Sequence, residues 1–393
     1  MSNIPKLRFP EFSGEWEEKK LSDIASFSKG KGYTKNDLEN DGSPIILYGR
    51  MYTKYETVIS DIDTFVNLQE GSIISKGGEI IVPASGETAE EISRASVVKN
   101  KGIILGGDLN IISLQKDKYN PEFFALTISS GTSQKRLSKL AQGKSVVHLH
   151  NEDLSGLQIK VPSLAEQQKI ADFLSNVDSI ITAETKILNT LQKRKKALMQ
   201  KLFTQQLRFK SDDGKDFPAW EEKKLGECVE ILDSQRKPIE SKERANRKGE
   251  YPYYGASGII DYIDDYLFEG ESILLGEDGA NIINRNSRLA FIAKGKYWVN
   301  NHAHIMKANA DNLNYFICEY LESLDYSKIC AGSAQPKLTQ DVIRNLIINA
   351  PCKEEQQKIA DCLSSLDSLI QTQQKVVTTW QQRKKALLQQ MFI

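Results

Sequence analysis

Histidine is the residue of this chain best suited to bind a metal ion, and its four copies form two pairs. His148 and His150, and likewise His302 and His304, are separated by one residue, so each pair would lie on one face of a strand. Two neutral imidazoles placed in this way could ligate a metal. The sequence offers no third ligand at a useful spacing, and the two pairs do not align between the halves of the chain. We therefore expect packed or hydrogen-bonded histidines and no metal site.

Other short motifs suggest catalysis, but each lacks a part that the chemistry needs. Gly143-Lys144-Ser145 resembles the end of a phosphate-binding loop, yet Ser138 stands where that loop requires glycine. Glu277 and Asp278 are adjacent carboxylates that a nuclease could use, but they lie between glycines, as in a turn. The sequence contains no Ser/His/Asp arrangement, dinucleotide fingerprint or aminomethyltransferase motif. It therefore predicts a protein without a catalytic or cofactor site of its own.

Basic and aromatic residues among Gly, Ser and Asn turns are the best candidates for contacts with nucleic acid. Arginine pairs bidentately with guanine edges, asparagine pairs with adenine edges, and lysine binds phosphate. Any one of these side chains is more often a solvated surface charge, but the pattern occurs in two segments of otherwise different sequence. The predicted DNA-contacting residues are Lys29, Lys31, Tyr33, Lys35, Tyr48, Arg50, Lys54, Arg94, Arg236, Lys237, Tyr253, Tyr254, Asn281, Asn284, Arg285, Arg288 and Lys337.

The overall charge gives no support for nucleic-acid binding, because 52 basic residues balance 52 acidic ones. Any basic footprint must therefore be local. Two dense basic clusters, Lys193–Lys196 and Arg383–Lys385, lie in long stretches of helical sequence. We expect their charges to be solvated or paired along the helix, with phosphate contact as the alternative.

An internal repeat organises the chain. Residues 162–203 and 351–392 align without a gap at an offset of 189, with 23 identities in 42 positions. Each copy lacks internal Pro and Gly and is rich in Ala, Leu, Lys and Gln, which favours an unbroken helix. At 1.5 Å per residue such a helix would be roughly 60 Å long.

Apolar residues in each copy recur at alternating steps of four and three, which is the seam of a coiled coil. Both copies break the seam at the same places, at Glu184 and Gln373 near the middle and at Lys195 and Lys384 near the end. Two ordinary core helices are the alternative, but such helices seldom extend so far on so narrow an apolar stripe. The predicted seam consists of Ile170, Leu174, Val177, Ile181, Glu184, Leu188, Leu191, Leu198, Ile359, Leu363, Leu366, Ile370, Gln373, Val377, Trp380 and Leu387.

The repeat is larger than the helix. Residues 16–21 and 220–225 share the string Trp-Glu-Glu-Lys-Lys-Leu, so each half has a lead-in, a globular segment and a long helix. Residues 71–115 and 251–306 alternate apolar runs with Gly, Ser and Asn turns, which predicts mixed, strand-rich structure in both globular segments. Five cysteines without CxxC spacing, no long apolar run and no signal sequence predict a cytoplasmic protein.

This arrangement resembles the specificity subunit of type I restriction–modification enzymes over essentially the whole chain. The motifs that carry the resemblance are Glu166–Asp172 and Glu355–Asp361, each after a proline that closes a variable segment. Trp-Glu-x-x-x-Leu at the head of each half and Gln335-Pro-Lys-Leu338 also fit. One departure is Gly143–Val146, which stands where a second Gln-x-x-Leu pattern would fall.

The resemblance implies an α+β fold with two mixed, strand-rich target-recognition domains separated by two long conserved helices in an antiparallel coiled coil. The repetition of lead-in and helix in both halves itself suggests a pseudo-twofold, circular organisation, in which Phe392 would lie near Leu7 as Phe203 lies near Leu207. The expected domains are residues 1–161 and 204–350, and the expected helical regions are residues 162–203 and 351–393.

The resemblance also implies a non-catalytic function. Each globular domain would read one half of a bipartite double-stranded DNA target, and the coiled coil would set the spacer. Two methyltransferase subunits would dock on the chain, and restriction/translocase subunits could join. S-adenosylmethionine, ATP and Mg²⁺ would be used by those partners and none of them by this chain. The main alternative is a coiled-coil adaptor whose two domains bind protein.

Overall fold

In a computed structural model, the chain forms two compact units. The structure describes residues 3–115, 117–141, 143, 146–329 and 336–393. Unit 1 contains Met1–Thr185 and Lys375–Ile393, and unit 2 contains Lys186–Gln374. Each unit therefore contains one globular segment and a part of each long helix. The predicted domain limits after residues 161, 203 and 350 stay a prediction.

The strands of unit 1 are short, as expected where Gly and Ser turns interrupt brief apolar runs. They are β1 Glu17–Lys20, β2 Ala25–Lys29, β3 Leu38–Glu39, β4 Ser43–Ile46, β5 Val58–Ile59, β6 Phe65–Val66, β7 Ile74–Lys76, β8 Glu79–Pro83, β9 Ser85–Gly86, β10 Ser96–Val98, β11 Lys101–Leu105, β12 Leu109–Leu114, β13 Val147–His148 and β14 Gln158–Val161. Among the described residues they form two five-stranded sheets, in the orders β2-β12-β8-β10-β5 and β3-β6-β4-β11-β7, and two two-stranded pairs, β1-β14 and β13-β9.

Short helices pack against these sheets. α4 is the most apolar of those described, because Phe123 to Ile128 are all buried, and the side chain of Asn120 caps its first turn. The helices that begin in the first half of the chain are α1 Leu21–Ile24, α2 Arg50–Thr53, α3 Ala89–Ile92, α4 Pro121–Ile128, α5 Gly131–Leu140, α6 Asn151–Ser155 and α7 Leu164–Phe203.

Unit 2 has a different sheet. Its strands are β15 Glu221–Lys224, β16 Val229–Ile231, β17 Lys248–Gly255, β18 Gly258–Ile263, β19 Phe268–Gly276, β20 Ala290–Val299, β21 Ala303–Ala308 and β22 Ile347–Ala350. Six of those described form one sheet in the order β16-β21-β19-β20-β17-β18, and β15 pairs with β22. The remaining helices are α8 Leu225–Cys228, α9 Ser241–Asn246, α10 Asn281–Asn284, α11 Asn314–Ser323, α12 Gln340–Arg344 and α13 Lys353–Met391.

Within each unit the two long helices pack antiparallel. In unit 1, Ile170 near the start of α7 shares an apolar cluster with Met391 at the end of α13. In unit 2, Leu202 at the end of α7 shares a cluster with Ile359 near the start of α13. Every predicted seam residue is buried or half-buried. The predicted fold class is confirmed: two mixed, strand-rich units and two long helices that pair antiparallel.

The chain is also circular in its contacts, as predicted. The amide of Leu207 donates a 3.0 Å hydrogen bond to the carbonyl of Lys201, at the end of α7. The amide of Leu7 donates an equal bond to the carbonyl of Gln390, which is the repeat equivalent of Lys201. The junction of helix and lead-in inside the chain is therefore repeated between its two ends. No helix in the described part of the chain is both long and apolar enough to cross a membrane.

Candidate nucleic-acid interface and helix junctions

The Glu-Gln-Gln motif at the start of α7 joins the helix to the lead-in. Glu166 is 1% exposed. Its carboxylate accepts two 2.7 Å hydrogen bonds from the Arg8 guanidinium and one of 3.3 Å from the Trp16 indole. The hydrogen bond to Glu166 raises the pKa of Arg8. This bidentate pair fixes the lead-in against the helix in a single geometry.

The neighbouring glutamine joins the same helix to the globular segment. The side-chain amide of Gln167 donates a 2.9 Å hydrogen bond to the carbonyl of Pro162. Its oxygen accepts a bond of the same length from the backbone N–H of Asn120, the residue before α4. We call the contacts made by Glu166 and Gln167 the helix junction of unit 1. The helix junction of unit 2 has the same pattern, with Glu355 bound by Arg208 and Trp220, and Gln356 bound by Pro351 and Leu313.

Sequence reasoning found the Glu-Gln-Gln motif and missed its partners. The signal was present, because Leu-Arg-Phe occurs at residues 7–9 and again at 207–209. A repeated arginine outside the helix, together with a repeated buried acid within it, predicts an ion pair. Because basic and acidic residues balance in each lead-in, its composition did not indicate this ion pair.

Lys195 corrects the expectation for the basic clusters. It was expected to be solvated or paired along its helix, but it is only 6% exposed. Its ammonium lies 2.6 Å from the carboxylate of Asp367 on α13 and 2.8 Å from Glu319 on α11. Lys384, its repeat equivalent, pairs with Asp178 on α7 at 2.5 Å. Both lysines occupy seam positions that face the other helix, which explains the error.

In unit 1, several predicted DNA-contacting residues meet in one group of loops. The terminal nitrogen of Lys31 lies beside Gly71, and the aliphatic chain of Lys35 lies beside Gly49. Lys31, Lys35 and Tyr48 are exposed, and we call them the lysine loop cluster. Lys29 is exposed as well, at the end of β2.

Close backbone contacts hold the lysine loop cluster in place. A Cβ on Gly30 would lie 1.9 Å from the carbonyl oxygen of Gly106, so only glycine fits there. Tyr33 has a left-handed backbone with φ of 60°. Its hydroxyl lies 2.6 Å from that of Ser72 and accepts a 2.8 Å bond from the Gln69 amide. Tyr33 therefore positions the loops and uses its hydroxyl within the protein.

The two arginines predicted in unit 1 are committed to other contacts. Arg50 is buried and forms ion pairs with Glu56 and Asp63. Burial opposes ionisation of Asp63, but Arg50 and Lys54 outweigh it and the pKa of Asp63 is lowered. Arg94 donates to the backbone carbonyls of Glu91 and Met51 and lies over the rings of Tyr52 and Tyr55.

In unit 2 the predicted arginines are likewise paired with carboxylates. Arg236 pairs with Glu277 at 2.8 Å, Arg285 pairs with Glu322 at 3.0 Å, and Arg288 pairs with Glu319. Each pair engages one terminal nitrogen of its arginine, so the guanidinium is no longer free to present two nitrogens to a guanine edge. The predicted residues of unit 2 that remain exposed are Lys237, Asn284 and Lys337, whereas Asn281 and Tyr254 are half-buried.

The structure contradicts the predicted DNA contact of Tyr253. It was predicted to contact DNA, but its side chain is 1% exposed, and its hydroxyl accepts a 3.0 Å bond from the Ile239 amide. A ring without accessible surface cannot stack on a base, so we remove it from the predicted interface. The alternation of β17 turns Tyr253 into the core, which the Tyr-Tyr pair in the sequence did not reveal.

The histidines of unit 2 are hydrogen-bonded, as predicted. His304 is buried, with one ring nitrogen 2.6 Å from Asp233 and the other 2.8 Å from the carbonyl of Leu338. Burial opposes ionisation of Asp233, but the bond to His304 outweighs it and the pKa of Asp233 is lowered. His302 bonds to Asp278. The part of the chain that the structure describes has no group of three or more His, Cys, Asp or Glu arranged to hold a metal.

Some sequence motifs lie partly outside the described residues. Lys144, Ser145 and Gln335 are not among the described residues, so part of the apparent phosphate-binding loop and part of the Gln-x-x-Leu motif lie outside them. Glu277, in contrast, is described, directly follows β19 and has partners for both carboxylate oxygens. Its carboxylate binds Arg236 and also Lys337, at 3.1 Å.

The model of the family "Type I restriction modification DNA specificity domain" matches residues 13–193 and 219–379, which is one copy in each half of the chain. The chain belongs to this family. Each copy spans a lead-in, a globular segment and most of a long helix, so the family unit is the half that the sequence repeats. The helix junctions lie within both matches, apart from residues 8 and 208, which precede them.

Three comparisons place the chain among its relatives in the specificity family. It is 35% identical to the putative type I restriction enzyme specificity subunit S.HindORF215P of Haemophilus influenzae over 148 residues, which is 37% of each chain. It is 26% identical to the type I restriction enzyme MjaVIII specificity subunit of Methanocaldococcus jannaschii over 97% of this chain and 92% of that relative. The crystal structure of the type I restriction-modification S subunit from M. genitalium has the same fold, with a TM-score of 0.64, 17% identity and 99% of both chains covered.

Proposed function

We propose that this specificity-family protein is a DNA-binding subunit in which each strand-rich unit reads one half of a bipartite target. One observation carries the proposal: the helix junctions of the two units are alike, contact for contact, whereas the sheets and loops that they support differ. Two different readers attached in the same way produce an asymmetric, two-part target. The subunit itself is non-catalytic in this proposal.

The proposed contacts with DNA are the exposed members of the predicted set. In unit 1 these are Lys29, Lys54 and the lysine loop cluster, and the ammonium groups of the lysines suit phosphate. In unit 2 they are Lys237, Lys337 and Asn284, whose amide suits an adenine edge. The arginines serve this interface indirectly, because their ion pairs fix the loops.

The long helices would set the spacer and bind two methyltransferase subunits. Their outer faces expose apolar residues at equivalent positions of the repeat. Ile187 is 48% exposed, and Ile180, one heptad earlier, is also exposed. Leu369, the equivalent of Ile180 on α13, is 54% exposed. Apolar residues exposed in a row on a helix are typical of surfaces that bind another helix.

In the proposed complex the chemistry belongs to the partners. Methyltransferase subunits would use S-adenosylmethionine to modify adenine, and restriction/translocase subunits would use ATP and Mg²⁺. The assembly would act in the cytoplasm, where the DNA is.

The test is to express the chain with a type I adenine methyltransferase subunit from the same organism, in cells that lack adenine methylation, and to map the methylated adenines. We expect one asymmetric motif with two defined halves and a fixed gap. The chain without the methyltransferase, and the methyltransferase without the chain, are the controls and should give no motif. Methylation that does not depend on the chain, or salt-independent binding to DNA, would favour a protein-binding adaptor.

A further inference from the structure

A buried network of four charges joins the helices of unit 2 to its globular segment. Lys195 on α7 contacts Asp367 on α13 and Glu319 on α11, and Glu319 also binds Arg288. The hydroxyl of Tyr315 donates to Asp367 and completes the network. Two cations balance two anions, so the network is neutral as a whole although Lys195 and Glu319 are almost without solvent contact.

The network continues into a loop that carries an exposed candidate reader. Glu322, one turn after Glu319 on α11, accepts hydrogen bonds from the amides of residues 289 and 290, at 2.9 and 3.0 Å, and pairs with Arg285. Arg285 and Arg288 thus hold both sides of a short turn to α11. Asn284 is exposed at that turn. Polar contacts therefore lead from the long helices to the turn that begins directly after Asn284.

Unit 1 lacks this arrangement at the aligned position. The residues just before α4 and α11 occupy equivalent positions, because Gln167 binds the backbone N–H of Asn120 and Gln356 binds that of Leu313. Six residues further along, α4 has the buried Leu126 where α11 has Glu319. Lys384 pairs with Asp178 across the helices, and Asp178 accepts a 3.3 Å hydrogen bond from the hydroxyl of Thr57 in the globular segment. Within the described residues Lys384 forms no other ion pair, so a neutral hydroxyl takes the place of the charged Glu319. The two units therefore connect helix to globular segment by different means.

We propose that Lys195 is a positioning residue that fixes the DNA-reading segment of unit 2 to the long helices. The half-site that unit 2 reads must then lie at one fixed gap from the other half-site. This inference rests on the proposed function. A segment held by apolar contacts and neutral hydrogen bonds, as in unit 1, can rotate slightly at little cost. A segment held through buried ion pairs cannot, because any rotation leaves a charge uncompensated away from water. Unit 1, with Leu126, has no such constraint at this position.

The experiment compares Lys195→Met with Lys384→Met as the matched control, each expressed with the same methyltransferase subunit and scored by mapping methylated adenines. For Lys195→Met we expect the half-sites to be unchanged and methylation to appear at gaps one base pair longer or shorter. The preference for the native gap should fall about tenfold, within the range that coupling in one ion-pair network covers. Lys384→Met should keep the native gap, and Lys195→Arg should restore it.

Two outcomes would overturn the proposal while leaving the proposed function intact: a strict native gap in Lys195→Met, or equal relaxation in Lys384→Met. If the unmodified chain directs no bipartite methylation, the proposed function itself fails first. Should Lys195→Met not fold, Lys195→Met with Glu319→Leu removes one charge of each sign and copies Leu126 of unit 1. This double variant should fold and show the same relaxed gap, and a strict gap in it counts against the proposal.

Discussion

At the scale of single residues, this protein uses most of its arginines to hold loops and helices together. Arg8 and Arg208 bind the glutamates of the helix junctions, and Arg50, Arg236 and Arg288 pair with carboxylates of their own units. The guanidinium group suits this role, because its fork binds a carboxylate at two points and fixes an angle as well as a distance. In the proposed function, the exposed lysines make the weaker, less directional contacts with phosphate.

The helix junction of unit 1 should contribute strongly to stability. Arg8→Ala removes two of the three side-chain hydrogen bonds described for the buried Glu166 and leaves the one from the Trp16 indole, so we expect a loss of about 3 kcal/mol in the free energy of unfolding. Urea unfolding followed by tryptophan fluorescence measures this loss. Lys19→Ala is the control, because its pair with Glu17 is exposed and should contribute little. Equal effects of the two substitutions would show that the junction is not a special contact.

The lysine loop cluster should contribute to DNA affinity through charge. Replacing Lys31 and Lys35 by Ala removes two proposed phosphate contacts, so the slope of log affinity against log salt should fall by about 2. Fluorescence anisotropy with labelled duplex DNA at several salt concentrations measures it, on the complex with methyltransferase. Lys193 and Lys196 are equally exposed lysines on α7, and replacing that pair is the matched control. If both pairs change the slope equally, the contact is general attraction and the cluster has no specific role.

At the scale of elements, the long helices combine an apolar seam with paired charges at repeated positions. Lys195 with Asp367 and Lys384 with Asp178 are equivalent pairs, one in each unit. A misaligned helix would leave these charges facing apolar residues, which specifies the register. The helices thus define both their direction and their alignment, and their length is free to change in steps of one heptad.

Removing one heptad from both helices should shorten the spacer. Deleting residues 182–188 and the equivalent residues 371–377 keeps the seam in phase and shortens each helix by about 10 Å. At 3.4 Å per base pair this corresponds to about three base pairs. We expect unchanged half-sites and a shorter gap in the methylation map. A variant that is folded and active but keeps the original gap would refute the role of the helices as a spacer.

At the scale of the whole molecule, the chain is a repeat in which the junction between residues 203 and 207 recurs between residues 392 and 7. The amide of Leu7 binds the end of α13 as the amide of Leu207 binds the end of α7. Phe392 packs on Phe123, and Phe203 packs on Phe316, the aligned residue of α11. The place where the chain starts is therefore one of two equivalent positions.

A circular permutant should fold and keep its specificity. Joining residue 393 to residue 1 leaves seven residues between Phe392 and Leu7, whereas three residues connect Phe203 to Leu207 inside the chain. The new connection is therefore long enough. A chain opened between Thr204 and Gln205 should give the same methylation motif and a similar melting temperature. A chain opened within β20 is the control and should not fold, because that strand pairs on both sides.

The sequence by itself determined the repeat, the two long helices, the strand-rich segments and the family. These features depend on local periodicity and on motifs short enough to recognise in a line of residues, such as Glu-Gln-Gln after a proline. It also indicated circularity, because the strings around Leu7 and Leu207 could be compared directly. The spacing of apolar residues that predicts a helix or a strand involves residues only a few positions apart. In helices as long as α7 and α13, contacts with distant segments change the secondary structure little.

Only the tertiary structure decided which side chains remain free for a partner. Tyr253 and Tyr254 are adjacent in sequence, yet one is buried and the other is half-buried. Lys195 looks like its neighbours in a basic cluster, but carboxylates from two distant elements neutralise it. Whether a charge meets solvent or an opposite charge depends on segments more than a hundred residues away, and their arrangement is fixed only when the core forms.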